Sequence, residues 1–67
     1  MTAVYKRFHR NRTTYQGIME MPNREYQIRE NITANNPNGS ATPNRYDTFR
    51  DAERALYKYH PGTKRIA

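Results

Sequence analysis

In the stretch from Thr48 to Gly62, TFRDAERALYKYHPG, apolar and charged residues repeat at helical spacing. Its cations Arg50, Arg54 and Lys58 are four residues apart and line one face of such a helix. The apolar residues fall along another face, at positions Phe49, Ala52, Ala55, Leu56 and Tyr59. The spacing therefore predicts an amphipathic helix whose apolar face packs against the rest of the chain.

Both ends of this helix carry sequence signals. The Thr48 hydroxyl is expected to accept from the first free N–H groups, and Asp51, three residues later, complements the positive end of the helix dipole. At the other end Pro61 disfavours helical geometry at His60, and Gly62 completes the stop. We therefore expect the helix to begin after Thr48 and to end by His60.

Three segments ahead of the helix are predicted to be strands. Residues 2–10 are extended, and residues 14–21 follow the polar turn RNRT, so the two form a hairpin. In residues 24–32, REYQIRENI, apolar and polar residues alternate, which is the clearest strand pattern in the chain. The residues expected to share the apolar face of this third strand are Tyr26, Ile28 and Ile32.

Gly17 lies within the second predicted strand, on the same face as Tyr15 and Met19. A glycine inside a strand often marks a position where another group approaches the backbone closely. We expect the small residues Ala52 and Ala55 of the helix to lie over it.

Residues 33–45, TANNPNGSATPNR, are rich in Asn and Pro and contain little to bury. They are predicted to form either a mobile loop or a hairpin arm that turns at Asn38-Gly39, and the sequence does not distinguish the two. Residues 63–67, TKRIA, allow a short fourth strand. The predicted fold class is α+β, in one small domain over residues 1–67. We expect a three-stranded antiparallel sheet with a C-terminal amphipathic helix packed on one face. If the short fourth strand forms, the order of elements is β-β-β-α-β.

The 67 residues are 34% hydrophobic and include no cysteine, which limits the chain to one small core without disulfides. The free energy gained by burying such a small core only narrowly exceeds the cost of the conformational entropy lost on folding. A homodimer or another partner is therefore one way to gain stability. No apolar run is long enough to cross a membrane, and the start MTAVYKRFHR lacks the hydrophobic segment of a secretory signal. We therefore expect a cytoplasmic protein with no membrane partner.

Few residues suit catalysis or metal binding. The one serine, Ser40, lies in the Asn-rich segment, and the two histidines have no Cys, Asp or Glu at recognised triad or ligand spacing. The three glycines are isolated from one another, so the sequence contains no glycine-rich phosphate loop. We predict a non-enzymatic protein without a cofactor or a metal.

Twelve Lys and Arg residues against six Asp and Glu give a net charge of +6, which favours encounter with phosphate-rich or acidic surfaces. The cations gather in two places, the stretch YKRFHRNR at residues 5–12 and the predicted helix. The candidate residues for binding nucleic acid or another partner are Arg7, Arg10, Arg12, Arg50, Arg54, Tyr57 and Lys58.

Each group of cations also has a simpler interpretation. The helical cations alternate with Asp51 and Glu53, with which they can pair on an ordinary solvated face. The cations of the first strand are typical of an edge strand that charge protects from unwanted pairing. Alternation favours Phe8 as a core residue, whereas Arg10 and Arg12 lie at the turn, where exposure makes them better candidates for phosphate contacts.

The six tyrosines divide between core and surface in the same way. Three of them fit core positions: Tyr15, Tyr26 and Tyr59. The other three are interpreted as exposed residues that stack or form interface contacts: Tyr5, Tyr46 and Tyr57.

Charge and composition favour a non-enzymatic module that binds nucleic acid or a nucleoprotein surface through phosphate contacts. An alternative is a small inhibitor or interaction module that binds an acidic surface of a host protein complex, since Arg and Tyr are frequent at binding hot spots. In size and composition the chain is similar to accessory proteins encoded by phages and other mobile elements, including inhibitors of bacterial immunity. The order of three strands and a helix over residues 2–59 also resembles DNA-binding domains that insert a sheet into the major groove, such as the arm-binding domains of tyrosine integrases.

Overall fold

The computed structural model describes residues 2–67, which form a five-stranded antiparallel sheet with one helix packed on one face. The sheet has the strand order β4-β3-β2-β1-β5. The elements are β1 (Thr2–His9), β2 (Arg12–Glu20), β3 (Tyr26–Glu30), β4 (Ser40–Tyr46), α1 (Phe49–Tyr59) and β5 (Lys64–Arg65). The predicted α+β class is confirmed, but the sheet has five strands rather than three or four.

β4 is the additional strand, and it begins inside the segment 33–45 for which the sequence left loop and arm open. It pairs with β3 at one edge of the sheet, and only Thr42 and Tyr46 are partly buried in it. A strand this polar has no alternation that a sequence pattern could detect. An edge position also tolerates Pro43, which has no N–H to donate.

The short strand expected near the C-terminus is confirmed as β5, which pairs with β1 at Tyr5 and Lys6. The predicted ends of the helix are also confirmed. The Thr48 Oγ1 accepts from the Asp51 backbone N–H at 3.1 Å, and the helix ends at Tyr59. Gly62 follows with a φ of 85°, a left-handed conformation that glycine adopts at little cost.

The hairpin of β1 and β2 turns at only two residues, Arg10 and Asn11, whose φ values are 52° and 62°. A two-residue turn with both residues in the left-handed region matches the twist of the strands it joins. Arg12, expected within a longer turn, is instead the first residue of β2 and pairs with His9. The hairpin is therefore regular up to its tip.

The core lies between α1 and one face of the sheet, here called the helix-covered face. Leu56 and Ala52 of the helix pack there on buried residues of three strands, namely Ala3, Tyr5, Ile18 and Ile28. The helix-covered face of β1 therefore carries Ala3 and Tyr5, while Val4 and Phe8 point to the opposite, helix-free face.

Two tyrosine predictions, those for Tyr5 and Tyr59, were wrong, and Tyr46, expected at the surface, is half-buried and packs against the core. Tyr5, expected at the surface, is fully buried, because β1 is flanked by β2 and β5 and Tyr5 points under the helix. Its hydroxyl donates to the Glu53 carboxylate, and its ring meets that of Tyr57 edge-on at 6.0 Å. Tyr59, expected in the core, is 57% exposed, because it lies in the last turn of the helix, beyond Ala52 and Leu56.

Gly17 is closely covered, as predicted, but by a different residue and on the other face. It lies on the helix-free face, where a Cβ in its place would be 2.6 Å from Ile32 Cδ1 and 3.0 Å from the Ala3 carbonyl oxygen. The expected contact with Ala52 and Ala55 is therefore wrong. Ile32 reaches the helix-free face because Asn31, with a φ of 56°, interrupts the strand and turns Ile32 away from the face of Ile28.

The connection between β3 and β4, residues 31–39, is fastened onto the helix-free face. The Arg29 guanidinium donates to the carbonyl oxygens of Asn38 at 2.6 Å and Gly39 at 3.0 Å, and to Gln27 Oε1 at 2.7 Å. The Ile32 N–H also donates to the Tyr15 carbonyl oxygen at 3.1 Å. Arg29 is therefore a structural residue, and one of the twelve cations is used to hold the fold.

We predict that Gly17→Ala destabilises the fold. The new methyl group would overlap Ile32 Cδ1, and such overpacking costs about 1–3 kcal/mol of unfolding free energy. Urea denaturation followed by circular dichroism measures the change. As a control, Ile32→Val removes Cδ1, so the pair Gly17→Ala with Ile32→Val should lose less than the sum of the single changes. A neutral Gly17→Ala would show that Ile32 does not pack on this glycine.

We also predict that the protein loses stability as the pH rises above about 10. Burial, reinforced by the hydrogen bond to Glu53, raises the pKa of Tyr5 above its ordinary value. The unfolded chain then releases this proton at a lower pH than the folded chain, so stability present below about pH 10 is lost above it. Tyr5→Phe, which cannot ionise, should show a shallower decline in urea midpoint between neutral and alkaline pH. An equally steep decline in that variant would assign the effect to other groups.

Candidate nucleic-acid interface

The cations of this protein are not neutralised by neighbouring carboxylates. Among residues 2–67 the one ion pair within 4 Å joins His60 Nε2 and Glu30 Oε1, at 3.1 Å. Every Lys and Arg therefore lacks an Asp or Glu carboxylate within that distance in the described chain. The local pairing expected for Asp51 and Glu53 on the helix is not formed, and Glu53 instead accepts from the Tyr5 hydroxyl. The positive charge of the surface remains available to anions.

Acidic residues are concentrated on the side of the helix. Glu20 and Glu30 lie on the helix-covered face, as their pairing with neighbouring strands and the Glu30–His60 contact indicate. The other four lie in or just before the helix or in the β2–β3 turn, at positions Glu25, Asp47, Asp51 and Glu53. The strand residues of the helix-free face include Lys6, Arg29, Arg45 and Lys64 but neither Asp nor Glu. The two sides of the sheet therefore differ in charge.

The tip of the β1–β2 hairpin carries two of the predicted site residues, Arg10 and Arg12, and both are exposed. Phe8 lies beside them and is 67% exposed, so the expectation that it belongs to the core was wrong. It faces the helix-free side near the end of β1, opposite Thr13, and away from the helix. His9 is exposed as well. An aromatic ring and two arginines therefore share one projecting hairpin.

Arg7 is placed differently from the other two hairpin arginines. It points to the helix-covered face and is partly buried, with its Nε donating to the Pro61 carbonyl oxygen at 3.1 Å. One of its terminal nitrogens is 3.5 Å from His60 Nδ1. Arg7 therefore ties the hairpin to the end of the helix, which leaves less of its guanidinium for a ligand.

The predicted residues of the helix lie on the other side of the molecule from the helix-free face. Arg50, Arg54 and Lys58 are exposed along α1, and Tyr57 is 41% exposed with its ring against Tyr5. The structure thus brings Arg10 and Arg12 together at the hairpin tip but does not join them to the helical cations in one surface.

A groove of about 620 Å³ lies on the helix-free side, between the hairpin and the connection 31–39. Apolar side chains form most of its wall, including Val4, Tyr15 and Ile32, while Arg12 lies at its edge. Sequence reasoning missed this groove, because it depends on the connection folding back over Gly17. The close approach expected at that glycine was the one signal that pointed to it.

Within residues 2–67, no cluster of three or more His, Cys, Asp or Glu side chains is arranged to hold a metal ion. Over the same residues, the helix is neither long enough nor apolar enough to cross a membrane.

Comparison with models of protein families, with curated proteins and with solved structures gave no match for this chain. The resemblance in element order to the arm-binding domains of tyrosine integrases rested on three strands followed by a helix. The observed order has four strands before the helix and a fifth after it.

Proposed function

We propose that this chain is a non-enzymatic module that binds nucleic acid through phosphate contacts, with its β1–β2 hairpin and helix-free face as the binding surface. The observation that carries the proposal is the separation of charge: this side of the sheet presents lysines and arginines without a single carboxylate on its strands. A surface that carries only positive charge attracts a polyanion from a distance, and binding is stabilised because counterions are released from the polyanion.

The hairpin tip suits direct phosphate contact. Arg10 and Arg12 are exposed within three residues of each other and lack carboxylate partners among residues 2–67. The planar guanidinium donates two parallel hydrogen bonds to phosphate oxygens, and no acidic neighbour has to be displaced first. The helical cations are less favourable, because Asp51 and Glu53 lie among them and offset their field.

We predict that the double variant Arg10→Ala, Arg12→Ala binds nucleic acid more weakly and with a shallower salt dependence. Each lost phosphate contact should reduce the slope of log affinity against log salt by about 0.7 for a single strand or 0.9 for a duplex. Anisotropy titrations of labelled oligonucleotides across a salt series measure both quantities.

Arg50→Ala, Arg54→Ala is the matched control, since it removes the same charge from exposed positions on the helix side. It should lower affinity less and leave most of the slope unchanged. A larger effect of this control would place the interface on the helix instead. Absence of binding to single- or double-stranded DNA and RNA at low salt would remove the proposal altogether.

Phe8 and Ile66 are 67% and 54% exposed, and this favours a second candidate function. In this function the chain is a small inhibitor-type module that binds an acidic surface of a host protein complex. Exposed apolar residues next to arginines are typical of protein interfaces. Affinity purification from the native cell with and without nuclease separates the two functions. A protein partner that persists after nuclease treatment would favour the second, and loss of every partner would favour the first.

A further inference from the structure

An apolar strip on the helix-free face of β1 ends in an exposed aromatic ring. Val4, Lys6 and Phe8 share this face, and the register places Lys6 opposite Tyr15 and Phe8 opposite Thr13. Tyr15 and Thr13 both line the groove. Phe8 is not itself one of the groove residues, but its cross-strand neighbour Thr13 is, so Phe8 lies next to the groove on the same face. A phenyl ring this exposed is available for stacking.

Cations lie within this strip and next to it. Lys6 lies within it, Lys64 is its neighbour on β5, and Arg12, at the start of β2, is one of the residues around the groove, which include no carboxylate. An apolar floor between cations suits a ligand whose flat apolar surfaces alternate with anionic groups. A single-stranded nucleic acid has this chemistry, because its bases are free to stack on aromatic rings while its phosphates meet the cations. A duplex keeps its base faces inside the stack, and the groove is far too small to admit a double helix.

The polar atoms of the groove indicate which single strand fits it. Apart from Arg12, the polar side chains of the groove carry hydroxyl and amide groups, among them Thr13 and Asn31. Neither of these two side chains makes a hydrogen bond within residues 2–67, so both are available to a ligand. The ribose of RNA carries a 2′-hydroxyl that both donates and accepts, and DNA lacks this group. Uncharged polar groups beside an apolar wall therefore favour RNA.

We propose that the helix-free face binds single-stranded RNA, with one base stacked on Phe8, a neighbouring base in the groove against Tyr15, and Thr13 in contact with a 2′-hydroxyl. This inference rests on the proposed function and specifies which nucleic acid the surface accepts. Lys6, Lys64 and Arg12 supply the phosphate contacts on either side of the bases.

The test compares three labelled probes in anisotropy titrations at fixed salt: an unstructured RNA of about 12 nucleotides, DNA of the same sequence, and the RNA annealed to its complement. The wild-type protein should bind the single-stranded RNA most tightly. Phe8→Ala should weaken RNA binding roughly 5- to 150-fold, the range that corresponds to loss of one base–aromatic stack. Tyr59→Ala is the matched control, because it removes an equally exposed ring from the helix and should change affinity little.

Thr13→Val tests the contact with ribose, since valine keeps the branched shape of the strand residue and removes only its hydroxyl. It should bring the affinity for RNA down towards that for DNA without changing the affinity for DNA. Thermal unfolding followed by circular dichroism confirms that each variant is folded.

Three results would each overturn the inference and leave the proposed function standing. The first is that the duplex binds as tightly as the single strand, the second is that DNA binds as tightly as RNA, and the third is that Phe8→Ala leaves the affinity unchanged. Failure of all three probes and of double-stranded DNA to bind at low salt would overturn both.

Discussion

The packing of Leu56 and Ala52 on one face of the sheet creates the core and thereby divides the molecule into a covered and an uncovered side. A single eleven-residue helix covers only one side of a five-stranded sheet, so the other side needs a different cover or stays in water. Ile32 and the connection 31–39 supply part of that cover, over Gly17. The tip of the β1–β2 hairpin, with the exposed Phe8, lies beyond both covers, and the candidate interface consists of this tip and the uncovered part of the helix-free face.

The helix could be predicted from sequence because everything that determines it is local. Its apolar period, the Thr48 cap and the Pro61-Gly62 stop all lie within fifteen residues. β4 could be predicted only as one of two alternatives, the arm that returns after Asn38-Gly39, because its stability comes from pairing with β3 and its own residues bury little apolar area. The reversal of Ile32 depends on the left-handed conformation of one residue, Asn31, which a strictly alternating pattern does not anticipate.

The candidate site was predictable only where local chemistry decides exposure. Arg10 lies in the turn and Arg12 directly follows it as the first residue of β2, and the sequence correctly indicated that both are exposed. Phe8 and Tyr5 were assigned to the wrong environments, because β1 carries apolar residues on both faces and its pattern alone does not say which face meets the helix. That choice is made by the register with β2, where Ala3 stands opposite Ile18.

The way Arg29 holds the connection 31–39 bears on how this protein can vary. Its guanidinium binds main-chain carbonyl oxygens at Asn38 and Gly39, and no side chain between Thr33 and Pro37 takes part in that contact. Thr33 holds the turn in another way, because its Oγ1 accepts from the Asn36 N–H at 3.0 Å, whereas the side chain of Ala34 makes no such contact. Since Ala34 and Pro37 also line the groove, substitutions there would change the wall of the proposed binding site while leaving the contacts of Arg29 and Thr33 in place. The connection is thus a place where specificity can diverge at little cost in stability.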